Sequence, residues 1–335
     1  MPPRGERLLD RYARRLEGSG AGVVALVSDG GEPRLIARGR TAAGRPVPPG
    51  ADTIFEIGSI TKVITALTLA DMAEEGLLGL EDPVADHLPR GVRMRERDRP
   101  ATLADLAGHT SGLPRLGRRL LISGLMNRGN PYARIGAADL ERAVSRARLR
   151  PPGRVRYSNL GAGLLGHLLA REAGAGYENL VRARVLTPLG LGDTRIAMSP
   201  EAHARFAAGH DRRGRPVPAW DLPAMAGAGA LRSTAADLMR LLEAQMSPPP
   251  GRLGAAIRRT HLPRGRRGRL EVGLGWMRTP IGRGRHGLWH DGGTGGARSF
   301  AGFAPSSGAA VVVLASSARS VTGLGMTLLE EASRG

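Results

Sequence analysis

The sequence predicts an α/β (α+β) protein: an antiparallel sheet flanked by the first and last helices, with an all-helical domain inserted between its strands and an active site where the two parts meet. Three observations carry this. Strand patterns crowd both ends of the 335 residues, helical patterns fill the middle, and the strands follow one another without the helical crossovers that parallel pairing needs. Residues 1–58 plus 268–335 are expected to form the sheet domain, and residues 59–267 the helical domain.

Leu8, Leu9, Tyr12 and Leu16 recur at helical spacing and predict an amphipathic first helix. Gly22–Ser28 and Pro33–Gly39 alternate around Asp29, Gly30 and Gly31, residues that tolerate the positive φ of a hairpin turn. Helical patterns follow near 60–76, 102–108, 137–148, 160–173, 177–186 and 235–246. Strands are expected again at Leu270–Arg278, Gly287–His290, Arg298–Ala304 and Ala309–Ser316, and a closing helix at Val321–Ser333. The Arg/Gly/Pro stretches at 211–218 and 263–269 read as exposed loops.

Composition excludes several classes. Without cysteine there is no disulfide, thiolate nucleophile or Cys-ligated metal. No apolar run reaches the roughly 18 residues of a membrane span, so a soluble chain is expected. Met1 to Gly20 is charged and lacks the apolar stretch of a secretory signal, which points to the cytoplasm. The net charge of +19 suggests nucleic acid, yet the arginines are scattered and only 3% of residues are aromatic. Of 49 Lys plus Arg residues, Lys62 is the single lysine. That ratio reads as a compositional drift toward arginine, against which one retained lysine stands out.

Ser59 and Lys62 sit three apart at the start of a helical run, where hydroxyl and amine share a face and Ser59 meets the positive end of the helix dipole. A serine becomes a nucleophile when a neighbouring base takes its proton, and a lysine serves if burial or nearby charge lowers its pKa. Arginine cannot release a proton, so the lone lysine is chemically apt. The plain alternative is an N-cap serine with a solvated lysine. A loop presents Tyr157, Ser158 and Asn159 just before a helix. Tyr157 beside a cation would ionise more easily and share proton transfer with Lys62, while the Asn159 amide fixes the lysine and meets substrate; Asn159 also reads as a helix N-cap. His290, Asp291, Gly292 and Gly293 form a strand end whose glycines admit a substrate backbone. The N–H groups of Gly293 and Ser59 would make an oxyanion hole, although a plain glycine turn fits the same letters. His286, His290 and Asp291 lack a usual metal-ligand spacing, so no metal and no cofactor is expected.

These boxes, with FEIGSITKVITALTLADMAEEGLLGLEDPV at 55–84, LADLAGHTSGLP at 103–114, GAGALRSTAADLMRLL at 227–242, GLGW at 273–276 and WHDGGTGG at 289–296, resemble the penicillin-recognising serine hydrolases across most of the chain. The similarity is to the branch of class C β-lactamases, penicillin-binding DD-peptidases and esterases. It implies a β-lactamase/transpeptidase-like fold, Ser59 as nucleophile, Lys62 and Tyr157 as its activators, Asn159 and His290 toward substrate, and oxyanion N–H groups from Ser59 and Gly293. His290 stands where many relatives carry lysine, which removes a permanent cation and leaves a group whose charge follows pH. The expected activity is hydrolysis of a small ester, amide or β-lactam through an acyl-enzyme. Acyl transfer to an alcohol or amine is the alternative, and an inactive or nucleic-acid-binding Arg-rich protein the alternative of another class.

Overall fold

The computed structural model describes residues 3–41, 47–95, 99–117, 129–282 and 284–334. Met1, Pro2 and Gly335, assigned above to the sheet domain, lie outside them. The described helices are α1 (Arg4–Arg14), α2 (Thr61–Glu74), α3 (Val84–His87), α4 (Leu103–Ala107), α5 (Ala137–Ser145), α6 (Asn159–Glu172), α7 (Tyr177–Val181), α8 (Pro200–Ala204), α9 (Ala226–Gly229), α10 (Ala235–Met246), α11 (Arg252–Thr260) and α12 (Thr322–Ala332). The strands are β1 (Gly22–Ser28), β2 (Arg34–Gly39), β3 (Phe55–Glu56), β4 (Arg232–Ser233), β5 (Gly265–Arg267), β6 (Leu270–Val272), β7 (Met277–Pro280), β8 (His286–Gly293), β9 (Arg298–Ala304) and β10 (Ala309–Ala315).

Eight strands form one antiparallel sheet in the order β2-β1-β10-β9-β8-β7-β6-β5, so both ends of the chain meet at the β1–β10 pair. β10 is the seven-residue apolar run AAVVVLA, buried on both faces, as expected of a strand covered from two sides. Its period of two divides the core: Val311 and Val313 join Leu9, Phe300 and Leu328 under α1 and α12, while Val312 and Leu314 face the helical layer with Phe303 and Leu288. α2 lies at the centre of that layer and is buried from Thr61 to Met72, with apolar residues on every side and Lys62 and Asp71 buried among them.

Several details differ from the sequence reading. The stretch at 263–269, expected as a loop, contains edge strand β5, paired with β6; its arginines suit an edge because they discourage further pairing. The expected strand Leu270–Arg278 is two strands, because Leu274 and Gly275 turn their N–H groups from the sheet to Thr260 and Ala107 of the helical layer. β8 runs on through Gly293, so its glycines lie in a strand and the turn comes at Thr294–Ala297. The run at 177–186 ends as a π turn over Arg182–Leu186. α3, α8, α9 and α11 were not expected. Among the described residues no helix is long and apolar enough to cross a membrane.

Candidate active site

The ribbon of β3 and β4 delivers the chain into a 3-10 turn, Gly58–Ile60, from which α2 continues. Ser59 sits in that turn rather than in the α-helix proper. The turn presses against β8: an added Cβ at Gly58 (φ 48°) would lie 2.6 Å from Gly293 N, and one at Gly292 would lie 2.0 Å from Ile57 O. Both positions therefore require glycine, and the contact aligns the Gly293 amide with the turn that carries Ser59. Ser299 of β9, paired with Gly292, adds a tie by donating its Oγ to Ile57 O at 2.7 Å.

Lys62 is buried beneath Ser59. Its Nζ donates to Ser59 Oγ at 2.8 Å and to Ala228 O, on α9, at 2.6 Å. Burial, helped by the Arg115 guanidinium, lowers the amine from its ordinary 10.5 to about 7, and Asp291 offsets only part of this. A charged amine loses its hydration in such a place, which favours the neutral base. Lys62 Nζ stands 5.0 Å from the centroid of the Tyr157 ring and Arg115 5.4 Å from it. The expected easier ionisation of Tyr157 is not what the structure gives. Burial raises its phenol well above 10, and a hydrogen bond with Ser59 and the Arg115 charge offset only part of that. Burial thus brings Lys62 toward neutrality and disfavours ionisation of Tyr157.

Asn159 opens α6, but its N-cap is Ser158, whose Oγ accepts from Gly161 N at 2.9 Å. The Asn159 amide donates to the Tyr132 hydroxyl at 3.4 Å and its Oδ1 is buried without a partner; Ala228 O takes the place at Lys62 expected of it. Asn159, Ser59 and Gly293 line one pocket, walled by Tyr132 and Trp220. Buried Glu56 holds the Trp220 wall, accepting from Trp220 N at 2.7 Å and from Thr294 Oγ1 at 3.0 Å.

His290 lies beside Tyr157 with ring centroids 6.1 Å apart. Its Nδ1 is 2.6 Å from Asp291 O, so that nitrogen carries the proton, while Nε2 is buried and unpartnered. Burial, and then the charge of Lys62, lower it from 6.5 to about 4, which leaves it neutral where a pH-dependent charge was expected. Asp291 points to the other face of the sheet and accepts from Thr322 Oγ1 on α12 at 2.6 Å. Among the described residues no group of three or more His, Cys, Asp or Glu is placed to hold a metal ion.

The sequence reading did not single out His109, Arg115, Tyr132, Trp220 or Ala228. His109 lies against Tyr157, the rings tilted by 40° with centroids 4.4 Å apart, and its Nδ1 accepts from Ser158 N at 3.2 Å. Its φ of 58° is the one positive value outside glycine among the described residues. It lies in the segment at 103–114 already matched to relatives, which is the signal that could have found it.

A sheet with paired terminal helices on one face and a helical lobe on the other is the fold of class C β-lactamases. The enzyme of that class from Rhodobacter sphaeroides superposes with a TM-score of 0.83, covering 98% of each chain at 24% identity. The chain belongs to the beta-lactamase family, whose model matches residues 8–329. It is 32% identical over 249 residues to the Escherichia coli D-alanyl-D-alanine-carboxypeptidase/endopeptidase AmpH, a match that covers 72% of this chain and 62% of that relative's length. It is also 30% identical to penicillin-binding protein 4 of Amycolatopsis lactamdurans, covering 90% of this chain and 82% of that one.

Proposed function

We propose that this chain is a serine hydrolase that opens a small ester, amide or β-lactam through an acyl-enzyme on Ser59. The observation that carries this reading is the 2.8 Å contact of Lys62 Nζ with Ser59 Oγ, in surroundings that lower the amine to about 7. At neutral pH a large share of Lys62 is then free base. Ser59 Oγ attacks the carbonyl carbon, its proton passes to Lys62 Nζ, and the carbonyl electron pair moves onto the oxygen, facing the N–H groups of Ser59 and Gly293. As the bond to the leaving group breaks, that group takes a proton relayed from Lys62 through the Tyr157 hydroxyl. Water then repeats the sequence in reverse, giving its proton to Lys62 and releasing the acid. No cofactor enters these steps.

AmpH's name as a carboxypeptidase/endopeptidase supports a peptide-like amide as one substrate class. Cytoplasmic residence is part of the proposal, and activity confined to a periplasmic or culture fraction would reject it. Nitrocefin, short p-nitrophenyl esters and D-amino-acid amides, assayed side by side, are expected to give turnover with at least one class. Ser59→Ala is expected to lower that turnover by about 10⁴-fold or more and to abolish fluorophosphonate labelling. Retained turnover in that variant would sink the assignment. Adding alcohols or amines to the labelled enzyme separates hydrolysis from acyl transfer.

A further inference from the structure

The following rests on the reading of Ser59 as the acylated nucleophile and concerns the acyl donor it meets. On the strand side, burial lowers His290, whose Nδ1 proton goes to Asp291 O, and Arg298 of β9 is committed to Thr294 O and Ala297 O. The helical wall carries an uncommitted cation. Arg115 follows the segment that carries His109, and its carbonyl accepts from Asn159 N at 3.0 Å and Leu160 N at 3.2 Å. Its backbone is thereby fixed to the first turn of α6, beside Tyr157. Its side chain is exposed, yet its guanidinium carbon stands 5.4 Å from the centroid of the Tyr157 ring, the ring that also lies beside Lys62.

Among the described residues no carboxylate forms an ion pair with Arg115, and the neighbouring stretch 118–128 contains neither Asp nor Glu. Other arginines around the pocket are engaged: Arg298 donates to Thr294 O and Ala297 O, and Arg232 to Ile196 O. An unpaired guanidinium presents a planar fork of donors suited to a carboxylate, with which it bonds in pairs.

We propose that Arg115 is the anion anchor of this site, so that the favoured acyl donor carries a carboxylate close to the bond Ser59 attacks, held from the helical wall rather than from β8. The carboxylate could lie on either side of that bond, and the test separates the two.

Acylation of Ser59 is followed by intact mass with two matched pairs of activated esters. The acyl-side pair is the p-nitrophenyl monoester of glutarate against p-nitrophenyl pentanoate; the leaving-group pair is m-carboxyphenyl acetate against phenyl acetate. A pH about two units above the Lys62 value keeps its protonation constant across variants. The ratio of acylation rates, anionic over neutral, is expected to fall about tenfold or more in Arg115→Gln for at least one pair, with Arg115→Lys recovering part of the loss. Added salt is expected to lower the wild-type ratio as well, because the anchor is exposed. Ratios that stay within about twofold in Arg115→Gln for both pairs overturn the anchor while leaving the nucleophile intact. Absence of both a Ser59 adduct and Ser59-dependent release of the phenol with all four esters overturns the hydrolase reading itself, and the anchor with it.

Discussion

The two walls that meet at Ser59 treat charge in opposite ways. On the helical wall the buried Lys62 is lowered to about 7 and Arg115 stands exposed over Tyr157. On the strand wall the buried His290 is lowered to about 4, and the remaining contributors are the backbones of Gly292 and Gly293. Two bases share one cleft, but only one of them changes charge near neutrality. In the proposed mechanism the helical wall therefore moves protons, whereas the strand wall supplies shape and a fixed dipole.

The largest test of that contrast is Lys62→Arg. A guanidinium keeps a positive charge at the same place but cannot accept the Ser59 proton. Acylation, followed by stopped-flow release of p-nitrophenol, is expected to fall by about 10³-fold. Normal acylation in this variant would remove proton transfer from the helical wall. The strand wall is tested next by Gly292→Ala. The new Cβ would lie 2.0 Å from Ile57 O and 2.3 Å from Ser299 Oγ, so β8 must shift away from the Ser59 turn. Because the Gly293 amide moves with it, a loss of about 10²-fold in kcat is expected, with a lower Tm. Full activity would show that the strand wall is not aligned through this contact.

These two tests also mark what could be read in the sequence. Ser59 and Lys62 were legible because three residues on a helix fix a face; the β8 glycines were read as room for a substrate backbone, whereas in the fold Gly292 lets the strand lie against Ile57. The strand-rich ends were legible because β10 reads as an unbroken apolar run. Arg115 and Trp220 were not, since the contacts that bring them to Tyr157 and to the pocket are distant in sequence; Ala228 lies in the segment 227–242 matched to relatives, but a backbone carbonyl that meets Lys62 leaves no mark in residue type. α9, four residues of alternating Ala and Gly, has little propensity of its own. It is held by Lys62 Nζ on Ala228 O and by Thr65 Oγ1, which donates to Gly227 O at 2.9 Å. The direction of the Tyr157 pKa was misjudged for a related reason. A cationic neighbour can be inferred from letters, but the burial that outweighs it is a property of the assembled fold.

A smaller effect concerns which base sets the pH profile. Lys62 acts as a base only when neutral, so kcat/KM is expected to rise with pH through about 7. In His290→Gln the midpoint of that rise is expected to stay near 7, because His290 carries no charge in that range. A midpoint that moved toward 4 or disappeared would assign the limb to the strand wall and reverse the comparison.

The smallest effect is on stability, and its sign depends on pH. In the unfolded chain Lys62 titrates at its ordinary 10.5, whereas in the fold it titrates at about 7. Between those values the unfolded state binds more protons, so the wild type gains stability as pH rises through that window. Below about 7 the amine is charged in both states and the cost of burying that charge is felt in full. Lys62→Met removes the charge and also leaves Ala228 O without its donor, a loss that does not vary with pH. The difference in Tm between Lys62→Met and wild type is therefore expected to be about 2–4 °C more favourable to the variant at about pH 6 than at about pH 9, by differential scanning calorimetry. A difference that is flat across that range would mean that Lys62 is not lowered by burial, and the helical wall would then lose its neutral base at neutral pH.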